Sequence, residues 1–235
     1  MNNLSTKARV TEIDALSDTL LRLYKAESSI ANDAFLKKYF VELQKLSDAI
    51  TEAIKRDHAQ SNMDEKDAVR DEAVRNLGDL LDGYAVFPVP EKKTAALALK
   101  AIFDKYGRKI TGESYANESS FIESLLKDLD ASDAKANIAK LDGMEATVKA
   151  VRTAQDDFTA AYDAWAKAQS ADAAAVNATG VKKPLVSLIN DKIVPYLTAM
   201  AGEDEYKNFA GLVEQEIDKV NGAVSGRSGK AEKAE

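Results

Sequence analysis

The chain has 235 residues, a formal net charge of −7, 45% hydrophobic and 30% charged residues, and no cysteine. That balance belongs to a folded globular chain. It excludes thiolate catalysis, cysteine-held zinc and disulfide stapling, and it argues against a nucleic-acid-binding surface. Only 4 prolines and 11 glycines interrupt a sequence rich in Ala, Leu, Lys, Asp and Glu, which favours helix.

Apolar residues recur at helical spacing from end to end. A first helix is expected over roughly 6–27, with Val10, Ile13, Leu16, Leu20 and Leu23 on one stripe. A second, capped by Asn32 or Asp33, is expected over 33–59, with Phe35, Leu36, Tyr39, Phe40, Leu43, Ile50 and Ile54 inward. Asp64 is the expected cap of a third helix over 65–85, whose inward residues include Val69, Ala73, Leu77 and Leu81. "VFPVP" reads as a rigid link. Pro90 suits the first turn of a fourth helix, and Gly107 its stop. Further helices are expected over 117–130, from a Ser132 cap to about 141, over 144–169, over 184–201 with a kink at Pro195, and over 204–221. "SADAAAVNATGVKK" is the longest stretch without a pattern. The tail "GAVSGRSGKAEKAE" lacks an apolar face, so 224–235 is expected to be disordered.

The expected fold is therefore all-α: about eight helices in a single domain over 1–223, packed as an antiparallel bundle or short helical stack. A weak internal echo suggests two repeated halves, 1–110 and 111–223. "EKKTAALALKAIFDKYG" lines up with "EYKNFAGLVEQEIDKVNG", and "TEAIKRDH" with "VRTAQDDF". Acidic amphipathic helices also resemble one another by composition alone, so chance similarity competes with duplication.

His58 is the only histidine. It follows Ile50 and Ile54 on one helical face and aligns with Phe158 in the echo, so it is expected half-buried near a helix end. Arg56 stands four residues after Glu52, the favourable order for a surface pair. Arg56, Asp57 and His58 are also the candidate ligand-binding residues, should the protein hold a small molecule between its halves.

Three stretches, "AITEAIKRDHAQSN", "KAIFDKYGRKITGESYANESSFIESLLKDL" and "LDGMEATVKAVRTAQDDFTAAYDAWAKAQ", carry a resemblance. Their features are the Lys-Arg-Asp-His run at 55–58, the Tyr-Gly stop at 106–107 followed by basic residues, Tyr115 before an acidic helix, and Asp157-Phe158. Over roughly 35–170 the chain resembles a family of all-helical proteins of Bacteroides-type bacteria, described only as a domain of unknown function. The resemblance implies a helical, internally repeated fold. It brings no activity and no catalytic residue.

Most chemistries fail on residue supply. One histidine cannot furnish the paired Glu-x-x-His of a di-iron bundle or the two histidines of His-Glu-x-x-His. No Gly-x-Ser-x-Gly elbow, phosphate-binding glycine loop or calcium loop is present, and "SGRSGK" has only a superficial likeness to a phosphate loop. "DDF" and "GEDE" read as solvated helix acids rather than metal ligands. No catalytic residue, cofactor or metal is therefore expected. The reading favoured is a non-enzymatic interaction or scaffolding protein with a protein partner or self-association, Trp165, Tyr162 and Tyr39 being candidate interface aromatics if they are not ordinary core. The alternative is an enzyme or small-molecule binder near Arg56, Asp57 and His58. "MNNLSTKARVTEIDAL" lacks a signal-peptide core, and no run approaches about 18 apolar residues, so a cytoplasmic protein without membrane contact is expected.

Overall fold

The computed structural model describes residues 1–170 and 177–231, with side chains as far as 227. The described residues are all-α and contain no strand. The helices are α1 (Val10–Ala26), α2 (Ala34–Ala85), α3 (Pro90–Phe103), α4 (Tyr115–Leu129), α5 (Ser132–Ile138), α6 (Met144–Ser170), α7 (Ala178–Leu188), α8 (Val194–Met200) and α9 (Asp204–Ala231). A 3₁₀ turn covers Arg108–Gly112, and a π-turn, Ile189–Ile193, joins α7 to α8 without a break. No described helix is long and apolar enough to cross a membrane.

Where the sequence suggested one domain with halves 1–110 and 111–223, contacts gather the chain into two units. One is Met1–His58 with Ala168–Glu235, and the other is Ala59–Lys167. Within the first unit the chain's two ends meet: α1 packs on α9 and α7. The first unit's core includes Ile13, Leu20, Leu36, Leu43, Ile50, Leu185, Leu197, Phe209 and Ile217, all fully buried. Asp33 caps α2 here, as expected. Its Oδ1 accepts the Leu36 amide at 2.7 Å, and its Oδ2 accepts the Tyr196 and Tyr206 hydroxyls at 2.5 and 2.6 Å. The second unit's core includes Val74, Leu77, Leu99, Phe103, Ile122, Leu125, Met144 and Val151.

Four expectations are corrected. The helices expected over 33–59 and 65–85 are one 52-residue helix, α2. Asp64 caps nothing there; it accepts from Gln60 Nε2 one turn back, at 2.8 Å. Met63, 1% exposed, carries the buried stripe through this polar stretch. Residues 224–227, assigned to a disordered tail, continue α9: Val224 is buried and Arg227 pairs with Glu12 of α1. The rest of that tail lies outside the described side chains. Within the patternless stretch, 171–176 likewise lie outside, but Asn177 caps α7 by accepting the Gly180 amide at 2.8 Å. Finally, the helix expected over 184–201 starts earlier and runs without a break over 178–200, with a π-turn just before Pro195. There the Val194 amide reaches back five residues to the Ile189 carbonyl. Pro90 and Gly107 behave as read: Pro90 opens α3, and Gly107 adopts φ 71° after it.

Candidate functional site

Arg70 is the largest charged side chain in the core, 0% exposed in the middle of α2. Val69, expected inward, is 48% exposed, and Arg70 takes the inward place on the line Met63, Arg70, Leu77. Its Nη2 donates to Asp67 Oδ1 at 2.6 Å and to Glu118 Oε2 at 2.7 Å. Its Nη1 donates to Ser119 Oγ at 2.9 Å and, at 3.4 Å, to Gln155 Oε1. The guanidinium lies 3.6 Å from the Phe158 ring centroid, a desolvated cation–π contact. Glu118 is 1% and Gln155 2% exposed. Three helices thus place one polar residue each on a buried face: α2 gives Arg70, α4 Glu118, α6 Gln155.

Local rules explain the placement on α4. Ser114 is the N-cap, accepting the Asn117 amide, so the helix begins at Tyr115. Glu118 is then one turn before Ile122 and two before Leu125, on the buried stripe. Burial pushes its carboxyl up to about 8; Arg70 pulls the other way, and the hydrogen bond and charge of Asp71 push further up. Asp67 is raised too, first by burial and against Arg70. Asp71 Oδ2 accepts from Arg75 Nη2 at 2.7 Å. Asp67, Asp71 and Glu118 bring a carboxylate oxygen each to within 4.8 Å of one another. That crowding is typical of cation sites, and here Arg70, which donates to two of the three, supplies part of a cation's charge from within the chain.

Beside this network α4 and α6 frame a hollow of about 220 Å3, lined by Tyr115, Ala116, Ser119, Phe158, Thr159 and Tyr162. Its walls are aromatic. Tyr115 stands 5.3 Å from Phe158 and 6.5 Å edge-on from Tyr162, and Tyr162 stands 5.4 Å from Trp165. Phe158, Tyr162 and Trp165 follow at four and three residues along α6, which puts them on one face. Tyr162 is 38% exposed. The indole Nε1 of Trp165 is buried and has no hydrogen-bond partner among the described residues.

The residues singled out in advance lie elsewhere. Arg56, Asp57 and His58 sit in the interior of α2, not at its end. Asp57 accepts the Ala178 amide at 3.4 Å, close to the start of α7. His58 is exposed rather than half-buried, whereas Phe158, its counterpart in the echo, is 2% exposed. The helix continues past His58, and its buried stripe has by then rotated to Ala53 and Met63. Of the candidate interface aromatics, Tyr162 is the most open, while Trp165 and Tyr39 are half-buried. Arg70, Glu118 and Gln155 were missed. Their signal was a polar residue standing where an apolar one is due.

The helices and the internally paired charged cluster define an all-helical protein with a buried polar centre beside an aromatic hollow. A family model described as a family of unknown function (DUF6261) matches residues 60–216, and the chain belongs to that family. The match contains the whole of the network and hollow. No curated protein and no solved structure matches the chain.

Proposed function

We propose that the protein is a cytoplasmic, non-enzymatic binding module whose aromatic hollow receives a side chain from a protein partner. The observation that carries this reading is the open hollow walled by Tyr115, Phe158 and Tyr162, with Tyr162 presented to solvent. Aromatic rings give a partner large contact area with little freedom left to lose on binding. The volume of about 220 Å3 falls below the ~300–1,000 Å3 of ordinary small-molecule sites. One inserted side chain fits that space better than a cofactor does.

Binding is favoured over catalysis by how the reactive groups are used. Arg70 and the raised carboxylates engage one another, and the polar groups lining the hollow are hydroxyls: Ser119, Thr159 and the two tyrosines. The single imidazole is an exposed group on a helix surface. A photoreactive phenylalanine analogue installed at position 162 in cells tests the reading. The expected result is one discrete protein adduct that disappears when Ala116→Phe fills the hollow. The same analogue at Val41, an exposed position in the other unit, serves as control. Equal labelling from position 41, or an adduct that survives Ala116→Phe, refutes the proposal.

A further inference from the structure

The buried network is out of charge balance. Asp67, Asp71 and Glu118 supply three carboxylates; Arg70 and Arg75 supply two guanidiniums. One negative charge is in excess, and at Glu118, which is 1% exposed, solvent screens it little. Two carboxylate oxygens there, Asp71 Oδ1 and Glu118 Oε1, are inaccessible and have no donor. The remaining oxygen of each is taken, Asp71 Oδ2 by Arg75 and Glu118 Oε2 by Arg70. Among the described residues, neighbouring elements bring no further cation to the two bare oxygens. From α6 come the uncharged Gln155 and Phe158, and at the rim Asp157, paired with Lys66. From the 108–112 turn comes Thr111, bonded to Arg75, while Arg108 is engaged by Asp79 and Asp82. On α4 itself Tyr115 points its hydroxyl to Asp64. Two bare carboxylate oxygens side by side repel, and one proton placed between them removes the excess charge and, through a single hydrogen bond, gives each oxygen its partner.

We propose that Asp71 and Glu118 share a single proton, and that this proton is a pH-sensitive latch holding the first turns of α4 against α2. It stands on the buried pair alone and is independent of what the hollow binds. The proton is held more tightly in the folded chain than in the unfolded one. Its stabilisation is therefore complete below the ordinary carboxylate range and is lost as the pH rises to about 8. Above that, two bare carboxylates face each other, and α4 loosens at Tyr115–Ser119.

The test is infrared difference spectroscopy of the full chain between about pH 6 and about pH 9.5, paired with thermal unfolding over the same range. The wild type is expected to lose a protonated-carboxyl band and several degrees of melting temperature as the pH rises. Glu118→Gln has an amide oxygen that can accept from Arg70 and an amide nitrogen that can donate to Asp71, with no titrating proton. It should lack that band and stay flat over the same range, ending more stable than wild type at the alkaline end. Absence of the band in the wild type at about pH 6 overturns the proposal, whether or not the variant folds. So does a Glu118→Gln profile that parallels wild type. Stabilisation by Mn2+ or Ca2+ that Glu118→Gln abolishes also overturns it, because the gap would then hold a metal ion.

Discussion

Replacing Arg70 with methionine leaves an unbranched stem in the core and removes the guanidinium that joins α2, α4 and α6. Removing one partner of a buried pair costs ~3–5 kcal/mol, since the other is left without compensation. Lost stacking on Phe158 adds up to ~2 kcal/mol at a desolvated site. Two features reduce the sum. Glu118 already tends toward its neutral form, and Asp67 is partly open to water. The expected net cost is ~3 kcal/mol near neutral pH, and more above about pH 8, where Glu118 would have to give up its proton with no cation beside it. Glu118→Met should cost a similar amount, but the double variant should cost well under the ~6 kcal/mol sum, because it removes both members of the pair. Urea unfolding followed by the emission of Trp165 is the assay. Trp165 is the only tryptophan and lies in the same unit as Arg70, so the signal comes from the right place. Additivity within ~0.5 kcal/mol, or a cost below ~1 kcal/mol for Arg70→Met, refutes the view that this network holds the three helices together.

Asp33→Ala should cost ~2–3 kcal/mol, from a lost cap and two phenol bonds to a carboxylate. Burial pushes this carboxyl up, but the bonds from Tyr196, Tyr206 and the Leu36 and Phe35 amides outweigh it and leave it lowered. Its stabilisation is therefore present above the ordinary carboxylate range and is lost as the pH falls below it, which acid titration of wild type against Asp33→Ala measures. Truncation after residue 223 should lower the melting temperature measurably, since Val224 is buried and Arg227 pairs with Glu12; an unchanged value refutes docking of this segment. His58→Ala should change stability by less than ~0.5 kcal/mol, as for an ordinary surface position, and a loss above ~1 kcal/mol in denaturant titration would show a contact that its exposure does not suggest.

The helical class was legible because it rests on periodicity, and most helices were found near their true bounds. Pro90, Gly107 and Asp33 were readable as punctuation because each acts through its own backbone. What failed was continuity. Around "HAQSNMDEK" the apolar stripe thins to Met63, and polar residues able to cap a helix suggested an end. In the structure Gln60 and Asp64 bond each other across one turn of an unbroken helix. The buried network was hidden by a related habit, that of tracing stripes through apolar residues alone. Met63, Arg70 and Leu77 are seven residues apart, and Gln155 falls between Val151 and Phe158, so the positions were visible and only the residue types misled. The division into units was not legible, because it depends on α1 meeting α9 across nearly the whole chain.

The π-turn between α7 and α8 fixes how this part of the chain can change in length. Leu185, Ile189, Ile193 and Leu197 are all fully buried and stand four residues apart. In a regular α-helix each such step advances ~40° beyond a full turn, so three steps would carry the last side chain ~120° away from the first. The wider turn at 189–193, closed by a bond across five residues, takes back part of that rotation and keeps the four side chains in the core. Deleting one residue there would close the wide turn into a regular one and leave Leu185 and Leu197 only ~20° out of line after three turns, so the buried face would be kept. Insertions and deletions are usually absorbed by loops. In this chain one position inside a helix can do the same, because the wide turn can give up a residue without a redesign of the buried face of α8.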